Sequence, residues 1–167
     1  SNLADSAEKL NAARLDTSRF GRNGCVYAVN QAYKGAGLTA PWGNDVNYVP
    51  TARSVLIRKG FIQVGVKNAQ PGDIVIMADT GSPPWVHIGI VSNSGTVLHN
   101  SSTNKAFTNN ESFSSLMRRY VKIEVYRAPS VVAKGGKESV SSPAKSKANN
   151  TEQLLSSRRT GAGTTKT

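Results

Sequence analysis

A chain of 167 residues that is 38% apolar can bury one core of ordinary domain size with some chain left over, but hardly two. No window approaches the roughly 18 consecutive apolar residues that span a bilayer, and the start lacks the basic-then-apolar pattern of a signal peptide, so a soluble chain is expected. One cysteine excludes an internal disulfide and a thiolate zinc cluster, and a formal charge of +11 points to anionic partners: nucleic acid, or the anionic polymers, phospholipids and peptides of a bacterial envelope.

In chain order, Leu3, Ala7, Leu10 and Arg14 recur at helical spacing, with Asp5 and Glu8 in the early turns, which predicts a short amphipathic helix over 3–15. The run Gly21-Arg22-Asn23-Gly24 reads as a loop. After it, Val26, Val29, Ala32, Tyr33 and Ala36 return to helical spacing, so Cys25 is expected at a helix N-terminus. The unpartnered amides there favour a thiolate, and a thiol of ordinary pKa about 8.5 can fall to roughly 3.5 to 7.5 in such a place. A lone cysteine is otherwise a small buried hydrophobe.

Gly35, Gly37 and Pro41 punctuate a loop that runs through Trp42-Gly43-Asn44-Asp45 to about Val49. Pro50 suits the first turn of the next helix, which ends at Lys59-Gly60. Phe61 to Val66 reads as a strand, Gln70-Pro71-Gly72-Asp73 as a turn, and Ile74-Val75-Ile76-Met77 as a second strand. The loop 79–85 contains Gly81-Ser82-Pro83-Pro84, stiff enough to fix the entry to the strand Val86-His87-Ile88-Gly89-Ile90-Val91. Asn93-Ser94-Gly95 is a hairpin turn, and Thr96-Val97-Leu98-His99-Asn100 returns. Both histidines of the chain lie in this hairpin. They are expected nearly opposite one another and on the same face of the pair. Ser101 to Asn110 reads as a polar loop, 111–119 as a short helix, and Val121 to Tyr126 as a strand that closes an antiparallel sheet.

From residue 129 the composition shifts to Ser, Lys, Ala, Gly and Thr, too poor in apolar residues to fold alone, although 152–159 has the makings of one or two helical turns. This tail holds seven basic and two acidic residues, so it carries +5 of the +11. The division expected is a domain over 1–128 and a basic low-complexity tail over 129–167 that serves attachment or assembly. Nucleic acid is the less favoured partner, because no basic run is interleaved with aromatics and no zinc-finger spacing occurs.

The Pro71-Gly72-Asp73 turn and its strand, then Val86-His87-Ile88-Gly89-Ile90-Val91, then Val97-Leu98-His99-Asn100-Ser101, with Cys25 upstream, resemble the core of the NlpC-type and CHAP-type papain-like cysteine peptidases over roughly residues 18–127. That resemblance implies an α+β fold, N-terminal helices packed on an antiparallel sheet, and hydrolysis of an amide bond in bacterial peptidoglycan. It assigns Cys25 as nucleophile, His87 as general base and acid, and His99 as the residue that orients the imidazole, with Asn100 the alternative for that role. It invokes no metal and no cofactor. Asn23 is a candidate oxyanion donor beside the backbone N–H of Cys25, and Tyr27, Trp42 and Trp85 are candidate substrate contacts. Many NlpC-type members carry Asp before and Ser after the cysteine; Gly24 and Val26 stand there, which is closer to CHAP-like members and leaves endopeptidase and amidase both open. The location implied is a virion, as a phage tail-associated lysin, or the extracellular envelope, with neighbouring virion or envelope proteins as partners of the tail. The alternative is a non-catalytic interaction module built on the same fold.

Overall fold

A computed structural model describes residues 1–129, which form one compact unit; the expectations for 130–167 lie outside the described residues. Four helices, α1 (Asn2–Ala12), α2 (Gly24–Gly35), α3 (Val49–Arg58) and α4 (Phe113–Met117), accompany six strands. The strands are β1 (Ile62–Val64), β2 (Ile74–Ala78), β3 (Trp85–Val91), β4 (Val97–Ser101), β5 (Ala106–Glu111) and β6 (Lys122–Arg127). They make a single antiparallel sheet in the order β1-β6-β2-β3-β4-β5. The class is therefore α+β, with helices on an open antiparallel sheet. Among the described residues no helix is long and apolar enough to cross a membrane.

Side chains alternate across the sheet, and both faces are covered. On one face, Ile74, Ile76, Ile88, Ile90, Leu98 and Phe107 pack against Leu3 and Ala7 of α1, Val26 and Val29 of α2, and Ala52 and Leu56 of α3. On the other, Val75, Met77, Val91 and Val97 pack under Leu116 of α4, with Phe113, Tyr120 and Ile123 at the margin. This explains why β2 and the end of β3 read as continuous apolar runs: both sides of them are buried.

The Pro71-Gly72-Asp73 turn has a structural duty. Asp73 Oδ2 accepts the Gln70 backbone N–H at 2.8 Å, and its carboxylate takes a bidentate pair of bonds from Arg127 of β6, at 3.0 and 2.8 Å. Gly72 sits at φ +89°, a conformation glycine adopts at no steric cost. The turn thus locks the start of β2 to β6. Farther along, Arg53 of α3 pairs with buried Glu124 of β6 at 2.8 Å, and Glu124 also accepts from the Tyr126 hydroxyl at 2.6 Å.

Three sequence expectations change. The segment 101–110 is not a loop throughout, because Ala106–Glu111 pairs with β4 as an edge strand. Its polar residues disguise it: only Ala106 and Phe107 are fully buried. The following helix shortens to Phe113–Met117, with the Ser112 hydroxyl accepting the Ser115 N–H as its N-cap. Finally, the strand expected to close the sheet, β6, does so from inside it, between β1 and β2.

Candidate active site

Cys25 is the second residue of α2 and is buried, 3% exposed. A 3-10 turn over Ser18–Asn23, broken at Gly21 where φ is +53°, delivers the chain to it. Immediately before it, Gly24 has no room for a side chain: a Cβ there would lie 2.9 Å from Asn100 Nδ2 and 3.1 Å from Thr17 Cβ.

The two histidines come from the sheet. The ladder between β3 and β4 pairs Gly89 with His99, Ile90 with Leu98 and Val91 with Val97. His99 is therefore opposite Gly89, not nearly opposite His87 as the hairpin turn suggested, and the two imidazoles are diagonal neighbours. Gly89 makes this possible, since a Cβ on it would meet the Leu98 carbonyl oxygen at 2.7 Å and His99 Cβ at 3.1 Å. Across the gap His87 Nε2 and His99 Nδ1 are 2.9 Å apart, with the rings edge-on at 87°. Tyr120 stacks on the outer side of His87, 6.0 Å between centroids.

A cleft of about 540 Å³ is lined by Cys25, His87, His99 and Asn100, with Arg22, Asp79, Arg119 and Tyr120 around them. A second cavity of about 360 Å³ shares Arg22, Asp79 and Val86 with it and continues past Asn23, Tyr48, Pro83 and Trp85. The two cavities adjoin at the three shared residues, and Cys25 lines the first of them.

Protonation here is governed by burial. The Cys25 thiol is pushed up to about 11 by desolvation, which the backbone N–H groups of Val26, Ile88 and Cys25 itself only partly offset. The expectation of a thiol lowered by the helix N-terminus is thus reversed, because taking the sulfur out of water outweighs the amides that face it. Burial, and then neighbouring His99, hold His87 below the ordinary imidazole value. His99 is also lowered by burial, although its hydrogen bond to Glu111 works the other way. Burial thus disfavours the charged form of the thiol and of both imidazoles.

The remaining expected residues scatter. Asn100 does not face His87; its Oδ1 accepts from the Thr17 hydroxyl at 2.6 Å, which leaves Nδ2 turned toward Gly24. Asn23 is exposed and lines the second cavity rather than the cysteine cleft. Trp85 borders that cavity with the Arg53 guanidinium 3.9 Å above its ring. Tyr27 is half-buried and stacks on Phe20, 3.9 Å between centroids. Trp42 lies in the core: it is 6% exposed, packs edge-on to Tyr33 and donates its Nε1–H to Asn30 Oδ1 at 2.7 Å.

Two groups escaped the sequence reading, Glu111 on β5 and Arg119 after α4. His99 Nε2 and Glu111 Oε1 are 2.7 Å apart, and Arg119 donates to the same oxygen at 2.8 Å. A signal was present, because Glu111 follows His99 by the same twelve residues that separate His99 from His87. The offset repeats because each hairpin places the next group one diagonal step along. No protein-family model matches the chain, and no curated protein is significantly similar to it.

Proposed function

We propose that this protein is a cysteine peptidase or amidase that cuts an amide bond of bacterial peptidoglycan. The observation that carries this reading is that Cys25, at the start of α2, opens on the same cleft as a hydrogen-bonded His87–His99 pair. His87 takes the thiol proton as the sulfur attacks the amide carbonyl, and returns it to the departing amine. Water then hydrolyses the thioester. With a resting thiol near 11 and a weakly basic imidazole, proton transfer accompanies attack rather than preceding it. The oxyanion meets the Cys25 backbone N–H and, in place of the exposed Asn23, the Asn100 side-chain amide, which Thr17 holds with Nδ2 toward Gly24. The adjoining cavity beside Trp85 and Tyr48 suits an extended peptide. The order of the Pro-Gly-Asp turn and the His-Ile-Gly-Ile strand supports the peptidoglycan substrate, and a charge of +11 suits attraction to anionic walls. A phage virion or the bacterial envelope is the setting consistent with that substrate.

Digestion of purified sacculi, with mass spectrometry of the fragments, tests this and identifies the bond. Release of fragments with new amino ends by the wild type, and none by Cys25→Ala or His87→Ala, is expected. Equal release by Cys25→Ala overturns the mechanism. One observation favours the rival, a non-catalytic interaction module: the thiol is buried and strongly disfavours ionisation. An inert wild type that still binds sacculi would decide for it.

A further inference from the structure

Glu111 is the last residue of β5 and stands opposite Val97 of β4. Its carboxylate collects three donors. Oε1 faces His99 Nε2 at 2.7 Å and the Arg119 guanidinium at 2.8 Å, and Oε2 accepts from the Ser115 hydroxyl at 2.7 Å. Burial alone would raise its pKa, but the Ser115 and His99 hydrogen bonds and the Arg119 charge hold it below the ordinary carboxylate range. It is ionised at neutral pH.

An ionised carboxylate only accepts hydrogen bonds, so the proton of a neutral His99 must be on Nε2. Nδ1 of His99 is then bare. Two donors address it accordingly, Asn109 Nδ2 at 3.5 Å and His87 Nε2 at 2.9 Å. The second of these places the His87 proton on Nε2 and leaves Nδ1 of His87 as its free base. We propose that Glu111 is a positioning residue that sets the tautomers of both histidines through this chain, so that His87 keeps a bare nitrogen with which to act as base. The proposal rests on the reading of His87 as the base. Without Glu111, His99 can carry its proton on Nδ1 and donate to His87 Nε2, and His87 then carries its proton on Nδ1 and has no bare nitrogen left to take a proton from the thiol. Arg119 and Ser115 keep the carboxylate ionised and aimed, which gives α4 and the residues after it a part in the site.

The chain has only two histidines, so the nitrogen-15 NMR spectrum of histidine-labelled full-length protein contains only two imidazoles and reads both tautomers directly. At pH 7 both are expected as the Nε2–H form in the wild type. In Glu111→Ala both should become mixtures, with kcat on peptidoglycan fragments falling about a hundredfold and KM little changed. Glu111→Gln, which keeps an acceptor oxygen, should restore much of both. A wild-type His87 protonated on Nδ1 overturns the proposal before any variant is made, so it stays testable if Glu111→Ala fails to fold. Unchanged tautomers in a folded Glu111→Ala also overturn it. If the tautomers shift as expected but the wild type cuts nothing, the positioning role stands and the hydrolase reading falls.

Discussion

At the scale of single residues, the cleft assigns unequal importance to the two imidazoles. In the proposed mechanism His87 exchanges the proton with the thiol, whereas His99 acts through it. His99→Ala should therefore cost less kcat than His87→Ala, whose loss should match that of Cys25→Ala because a nucleophile and its base act as one unit. Steady-state rates on soluble fragments check this, and an equal or larger loss at His99 would mean that the roles are reversed. The thiol makes a separate prediction. With its pKa near 11 and no imidazolium beside it, alkylation of Cys25 by iodoacetamide should climb about tenfold per pH unit from 7 to 9. A rate already flat from pH 5 upward would instead reveal a preformed thiolate–imidazolium pair.

At the scale of elements, Gly89 is the position on β3 where sequence and site meet. Gly89→Ala puts a methyl group within 3 Å of the Leu98 carbonyl, so β4 must shift and carry His99 away from His87. A loss of roughly 1–3 kcal/mol in denaturant unfolding is expected from such overpacking, with a larger proportional loss of activity than any surface substitution of similar stability. Unchanged stability and rate would show that β4 can yield without cost. The helices and β2 to β4 were legible because their apolar residues keep a period of 3.6 or 2, or run unbroken where both faces are buried. β5 was not, and the reason is chemical: Asn109 and Glu111 pair with His99 and Val97 and so share the face that carries the site. A strand that lends polar groups to a reaction centre loses the apolar alternation by which strands are recognised. The thiol was misjudged for a related reason, since the α2 N-terminus is visible in sequence and the desolvation of the sulfur is not. Trp42 looks like a substrate contact in the loop after α2 until Asn30, twelve residues earlier on α2, is seen to hold its indole N–H in the core.

At the scale of the whole molecule, both histidines are held neutral by burial, and that couples folding to acidity. The unfolded chain protonates them near pH 6.5, whereas the folded chain does so only at lower pH. Their contribution is complete above 6.5 and is lost as pH falls through the window below it. Midpoints of urea unfolding should therefore drop between pH 7 and 5, before most carboxylates titrate, and the drop should shrink in His87→Gln. An identical slope in that variant would assign the effect elsewhere. Truncation after Pro129 tests the division of the chain: both hydrophobic clusters lie within 1–129, so the shortened protein should unfold at nearly the same temperature and keep its activity on soluble fragments. Loss of the fold would make the tail part of the domain. The position of β6 has one more consequence, for the order in which the protein can be made. Because Lys122–Arg127 fills the slot between β1 and β2, a ribosome that has made everything up to β5 has produced one sheet fragment, β2–β5, with an open edge at β2, and left β1 without a partner strand. The sheet can close only when the last strand emerges, so between the making of His99 and of Arg127 a nascent chain carries its cysteine and both histidines on an unfinished sheet.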